Sequence, residues 1–352
     1  MARRSDADTI SQLLATHEAA VHAAFLGAIT DIVDVVVLRI IIERLERGDV
    51  NGAVQALQLD AAAFAKLELA LTEAYNAGGI AASGGMPKVA DPQGNRVVFR
   101  FGVRNLEAES WLREHSTALV RDILEDQRVA VRLALTEGLA AGQNPRTTAL
   151  NVVGRVNRAT GRREGGIIGV TAAQERYIAN ARQELLSGDP AQLRAYLGRE
   201  RRDKRFDRTV LAAIKSGKPL GAEAVNRIVG RYSDRLLDLR GEFLARTETM
   251  MALSKSRDDA IRQQIEAGKI RVEDVTKIWR SAGDSRVRHT HRALNGQKVP
   301  MDGVFVSPSG ATLRFPCDPR APISEISGCR CVVSYDIDYF ASVVERFRAE
   351  NA

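Results

Sequence analysis

Aromatic residues supply only 5% of this 352-residue chain, and cysteine occurs three times, always in the last tenth. An odd, clustered cysteine count is not a disulfide framework, and a reducing compartment is the ordinary setting for such thiols. Long uncharged apolar runs are missing as well. The most hydrophobic stretch, Ala19 to Ile42, carries His22, Asp31, Asp34 and Arg39, whereas a membrane span needs about 20 residues with few or no charges. It reads as a buried helix. Asp6 and Asp8 interrupt the basic start before any apolar run, so no signal peptide is expected. Neither an internal repeat nor a low-complexity tract is present. Hydrophobic residues at 45% and charged residues at 27% exclude a wholly disordered or fibrous chain. At about 150 residues per domain, the length suggests two or three domains, enough to bury a core without disulfide staples. Ala, Leu, Arg and Glu are plentiful, so helix is the expected material.

The net charge of +7 is unevenly spread. Counting Lys and Arg against Asp and Glu, residues 1–140 carry −5, residues 141–300 carry +14 and residues 301–352 carry −2. Such polarisation suggests that the middle of the chain faces a polyanion, with nucleic acid the first candidate; solvated helix faces are the plainer alternative. The chain therefore divides by character into an acidic helical region over 1–140, a basic helical region over 141–270 and a Cys/His-containing α+β module over 271–352. The expected fold is mainly α with that small C-terminal α+β module: long N-terminal helices, a central helical region and a loop-rich tail with short strands.

Three- and four-residue apolar steps predict one long helix over about 9–47. A second is expected over 61–76, stopped by Gly78-Gly79, with a Gly/Ser loop to Asp91-Pro92 and a short alternating strand near 96–101. Helix resumes over 106–138 and breaks at Asn144-Pro145, with a short helix over 147–157. Thr171 followed by Gln174 marks the start of a helix running to Leu186. Further helices are expected over 194–197, 209–216, 222–230 and 232–268. After Ile270 come short strands around 272–279, 304–306, 313–315 and 331–335, closed by a helix near 340–348.

No phosphate-cradling P-loop is present. The string from Gly161 to Gly169 lacks the Gly-Lys-Ser/Thr ending and reads as a turn. The run Arg199–Arg208 holds six cations against three acids. Arg199, Arg201, Arg202, Lys204, Arg205 and Arg208 could neutralise phosphates without reading sequence, and Arg162 and Arg163 of a basic turn could join them. A salt-bridged, exposed segment is the other reading. In extended backbone, residues i and i+2 share a face, so His289 with His291, and Cys329 with Cys331, could present two nitrogens and two sulfurs, a donor set for tetrahedral zinc. Cys317 is left over as a substitute ligand. Reduced thiols packed in a small core, or a disulfide formed on oxidation, remain open, and no cofactor is required. His17, His22 and His115 fall on helices where packing suffices. Asp284, Arg288 and His291 could also be read as an acid–base cluster of a nuclease or other enzyme.

The tail resembles a known family, the phage head morphogenesis or minor head proteins of the phage Mu F type. The resemblance rests on Trp279, Asp284, Arg286, Arg288, His291, Leu294 and Gly296, then Pro316-Cys317-Asp318-Pro319, then Cys329-Arg330-Cys331, with Gly328 where the family usually has Asn. Gly138 to Gln174 and Ala245-Arg246-Thr247-Glu248-Thr249 are supportive. The resemblance implies a non-enzymatic virion component inside the head, present in the host cytoplasm during assembly and in several copies per head. Its implied partners are the portal protein, a major capsid or scaffold protein, and double-stranded DNA held non-specifically during packaging or ejection, with no membrane. A nuclease, or a DNA-binding protein with no head association, is the competing expectation.

Overall fold

The computed structural model describes residues 6–91, 93–103 and 105–350; Met1–Ser5 of the basic start and Pro92 of the expected loop lie outside these. The helices are α1 (Asp6–Val35), α2 (Leu38–Glu46), α3 (Val50–Gln55), α4 (Ala65–Gly84), α5 (Leu106–Ala140), α6 (Pro145–Val153), α7 (Ala172–Leu186), α8 (Pro190–Leu197), α9 (Asp207–Ser216), α10 (Ala222–Glu266), α11 (His289–Leu294), α12 (Ile323–Ile326) and α13 (Tyr339–Glu350). The strands are β1 (Val89–Ala90), β2 (Arg96–Val97), β3 (Arg155–Val156), β4 (Arg163–Glu164), β5 (Val275–Arg280), β6 (Lys298–Pro300), β7 (Phe305–Val306), β8 (Thr312–Leu313) and β9 (Val332–Ile337). The protein is mainly α with a small C-terminal sheet module. Among the described residues no helix is long and apolar enough to cross a membrane.

Compactness does not follow the three charge regions. Residues 1–24, 67–116 and 242–352 form one unit, and residues 25–66 and 117–241 form the other. The acidic region 1–140 is thus divided between the two, because its helices pack with partners distant in sequence. In the first unit β5 is the centre of an antiparallel sheet of order β6-β5-β9, with Lys277 opposite Val299 on one side and Trp279 opposite Val333 on the other. The β7–β8 hairpin stands beside it. Around Trp279 gather Ile10, Met250, Leu253, Leu294, Phe305, Phe315 and all three cysteines, each buried. Arg257 ties the edge of this core: one guanidinium nitrogen donates to the Val333 carbonyl at 3.2 Å and another meets Asp6 at 3.1 Å. Lys277 is wholly buried, and its ammonium donates to the carbonyls of Gly303 (2.8 Å) and Arg314 (3.1 Å). In the second unit α2 packs on α3 and α6, and α7, α8 and α9 follow one another in contact. Thr171 and Gln174 form the expected capping box, each side chain bonded to the other's backbone N–H.

Five sequence expectations are corrected. The helix expected over 9–47 breaks at Val36-Val37, where Val37 turns extended. Val35, Val36 and Val37 are consecutive β-branched residues, whose stiff side chains disfavour continued helix. Second, Gly78-Gly79 does not end a helix; α4 runs through to Gly84, so the loop begins there. A Cβ on Gly78 would lie 2.3 Å from Ser256 Oγ and 3.2 Å from the Leu253 Cα, and one on Gly79 would strike the Phe101 ring at 2.4 Å. Gly78 lets α4 approach α10 closely, and Gly79 leaves room for the Phe101 ring. Third, Gly230 does not separate two helices: α10 is continuous over 45 residues, and Gly230 faces Gly165, where a Cβ would sit 2.6 Å from the Gly230 Cα. The expected strand near 96–101 shrinks to Arg96–Val97, and the element after Ile270 begins with a helical turn before β5.

Gly78→Ala is therefore expected to lower stability by about 1–3 kcal/mol through overpacking, whereas exposed Gly84→Ala, with nothing near its Cβ, should change it by no more than about 0.5 kcal/mol. Urea denaturation of the two variants checks the contrast.

Candidate functional site

The C-terminal module closes around one imidazole. α11 carries His291 inward, 1% exposed, with its ring edge-on to Trp279 at 5.1 Å between centroids. Nδ1 lies 3.3 Å from Cys329 Sγ and 3.6 Å from Cys331 Sγ. The three donor atoms fall within 4.8 Å of one another, all buried. On the far side of the ring, Nε2 is 2.9 Å from Glu325 Oε2, close but poorly aligned for a hydrogen bond. Glu325 is itself held by Ser309 (2.6 Å) and Thr290 (3.0 Å). Burial pushes its carboxyl upward, yet these hydroxyls and the neighbouring His291 hold it below the usual carboxylate range. Cys317, also a buried free thiol, bonds to the Cys329 thiol and to the Ile326 carbonyl at 3.4 Å. That contact from Cys317, with burial, raises the Cys329 thiol well above its ordinary range; Cys331 is raised by its contact with Cys329 and by burial.

His289 is not brought to this cluster. The pair sits on a helix rather than on extended backbone, so positions two apart diverge, and His289 is exposed. The remaining motif residues hold the module shut. Asp284 receives a two-pronged pair from Arg330 (2.6 and 2.7 Å) and accepts the Arg286 amide at 3.0 Å. Arg288 donates to the Ser327 carbonyl. Leu294 is buried, Gly296 takes φ +84°, and its amide bonds the Trp279 carbonyl at 2.8 Å. Gly328 has φ +64°, the left-handed conformation in which Asn is the usual alternative to Gly. Asp284, Arg288 and His291 therefore each serve a different contact, and the imidazole has no open face for a substrate.

A second feature lies in the other unit: an open cleft of about 1070 Å³ lined by Arg155, Arg158, Arg182, Arg205, Arg227 and Arg231 among others. Gly165 and Gly166 of the turn line it too, both at positive φ. Among the described residues, Asn226 holds Arg182 (2.6 Å) and Asn151 holds Arg155 (2.9 Å), with a weak contact from Arg155 to the Leu150 carbonyl. Burial, then the neighbouring Arg155, lower Arg182 to about 10, and burial lowers Arg155. The carboxylates in the cleft are engaged: Glu164 with Arg231 and Asn157, Glu223 with Arg227, and Asp234 with the Gly165 amide at 2.7 Å. Burial raises the Asp234 carboxyl, tilting it towards neutrality.

The model of the family described as Phage Mu protein F like protein matches residues 204–334. The chain carries a Mu F-like segment. No curated protein and no solved structure matches the chain.

The Mu F-like segment begins inside the basic run, which is only half available to a ligand. Arg199 clamps Glu184 at 2.7 Å through two nitrogens, Arg202 grips Asp207 at 2.9 and 3.0 Å, and Arg205 holds Asp203. Arg201, Lys204 and Arg208 are exposed and make no ion pair among the described residues. Arg162 is exposed, while Arg163 donates to the Gly154 carbonyl at 3.2 Å. Arg155 and Arg182 were missed by sequence reading, which followed runs of charge. The available signal was an Arg on the inward stripe of α7, next to buried Ile178, Ala181 and Leu185. Glu325 was missed as well, since nothing near it in sequence announces a buried partner for His291.

Asp203, 1% exposed, anchors the turn through Arg205 and Arg235. The Arg205 hydrogen bond holds its carboxyl down at about 2, against an ordinary 3.8. A depressed carboxyl contributes stability above its ordinary pKa and loses it as pH falls through the folded value. Asp203→Asn should therefore be less stable than the parent at neutral pH, with the gap narrowing as pH falls from about 4 towards about 2. Thermal unfolding across that range measures it.

Proposed function

We propose that this chain is a minor head protein of a tailed phage that holds the backbone of double-stranded DNA during packaging or ejection. One observation carries the DNA part: a cleft in which Arg155 and Arg182 are partly buried, with neutral asparagines and, among the described residues, no carboxylate as side-chain partners. Removing guanidinium groups from water without a counter-charge is costly, and an entering phosphate would supply that charge with fork-like geometry. Exposed Arg201 and Lys204 on the adjoining turn extend the basic surface, and the surplus of +14 over 141–300 acts in the same direction. The head assignment rests on the Mu F-like segment, which also makes the portal the partner to look for, with the chain inside the virion in several copies. The nuclease reading has lost its residues to other contacts, so no observation favours it.

Binding of unrelated duplex sequences should be equal and should weaken steeply with salt through counterion release. Replacing Arg155 and Arg182 by Gln, with Arg201 and Lys204 by Ser, should flatten the plot of log affinity against log salt by up to about 0.9 for each phosphate that is no longer neutralised. Arg202→Ser should leave the slope as it is, because Arg202 already serves Asp207. An unchanged slope in the fourfold variant would sink the cleft as the DNA site. Absence of the chain from purified portal-containing heads would sink the head assignment.

A further inference from the structure

We propose that His291 Nδ1 and the thiolates of Cys329, Cys331 and Cys317 bind one structural zinc ion at the centre of the C-terminal module. Three of the donors already stand at the right separations. With zinc–sulfur bonds of about 2.3 Å and zinc–nitrogen bonds of about 2.0–2.1 Å, the sulfur-to-nitrogen edge of a tetrahedron is about 3.6 Å. The observed edges from Nδ1 are 3.3 Å to Cys329 and 3.6 Å to Cys331. Soft sulfurs with one imidazole select zinc over the oxygen-seeking cations.

The surroundings of the imidazole separate a metal site from thiols that merely fill a core. A metal-ligating histidine characteristically turns its other ring nitrogen to a carboxylate, which sets the tautomer and orients the ring. Here Glu325 lies 2.9 Å from Nε2, 4% exposed, and is fixed by the hydroxyls of Ser309 and Thr290. Packing alone requires no buried carboxylate with two hydroxyl donors behind a histidine.

Cys317 is the fourth ligand. Its thiol touches that of Cys329 but lies outside the group of three, bonded to the Ile326 carbonyl. Turning the thiol from that carbonyl to the ion completes a closed set of four. Its backbone has φ +60°, which side-chain-bearing residues rarely adopt. Such conformations persist where the surroundings impose them. The ion would join α11, the turn after β8 and the segment entering β9, three pieces with little regular structure of their own. On binding, three thiol protons pass to solvent while the imidazole stays neutral with its proton on Nε2, towards Glu325.

The test uses the full chain purified from zinc-supplemented medium and dialysed against metal-free buffer. Elemental analysis should find about one zinc per chain, a chelator should lower the thermal midpoint, and Co²⁺ added to the stripped protein should give the absorption of a tetrahedral thiolate site. His291→Ala and Cys331→Ser should lose the zinc, and His289→Ala should keep it. Glu325→Gln should weaken zinc binding by about 10–100-fold. A parent chain without zinc and without the cobalt–thiolate bands overturns the proposal, and that result stands even where the cysteine variants fail to fold. Full zinc in folded Cys331→Ser overturns it equally. Parent-like zinc affinity in Cys317→Ser overturns the assignment of the fourth ligand. None of these readouts depends on DNA or on the head.

Discussion

A buried imidazole is costly unless polar groups surround it, and His291 draws distant parts of the chain to itself. Thiols from 329 and 331 meet Nδ1, while Glu325 stands at Nε2. Trp279 covers the ring edge, and the same tryptophan supports Phe305 of the β7–β8 hairpin at 5.1 Å. The central strand β5 is thereby tied to α11, to α12 and to the run leading into β9. A polar group enclosed in an apolar core is costly unless satisfied, so this arrangement selects one register for a module otherwise made of two- to six-residue strands.

The Mu F-like motif is explained largely as the means of holding that arrangement. Asp284 and Arg330 join the loop before α11 to the residue between two cysteines, and Arg288 reaches the backbone beside Gly328. Gly296 makes the turn that returns the chain to β6. A motif of Asp, Arg and His resembles an acid–base cluster when written as a string. In the fold these side chains point to separate partners, which is the behaviour of a structural element.

Charge tells a parallel story in the other unit. The densest basic run is only half available, since three of its cations serve Glu184, Asp207 and Asp203 and thereby shape the turn between α8 and α9. The partly buried cations of the cleft without carboxylate partners among the described residues come instead from separate elements, Arg155 after α6 and Arg182 on α7. Local charge density measures how many charges a segment carries; whether they face a ligand depends on which acids fold beside them.

Composition and periodicity were sufficient for the mainly helical class, for the capping box at Thr171 and Gln174, for a helix over 106–138 and for most of the short strands after Ile270, though not β6, because these depend on contacts within a few residues. The cysteines and His291 were also legible as one candidate cluster from their chemistry. Only the tertiary structure could decide that Gly78, Gly79 and Gly230 lie inside helices, since the reason is another backbone or ring pressed against them. It likewise left His289 exposed, set Glu325 beside His291, and divided the acidic N-terminal stretch between two compact units. Sequence neighbours set the local conformation of this chain, whereas helix approach, burial and ion pairing join residues tens to hundreds of positions apart, and those long-range contacts made the sites.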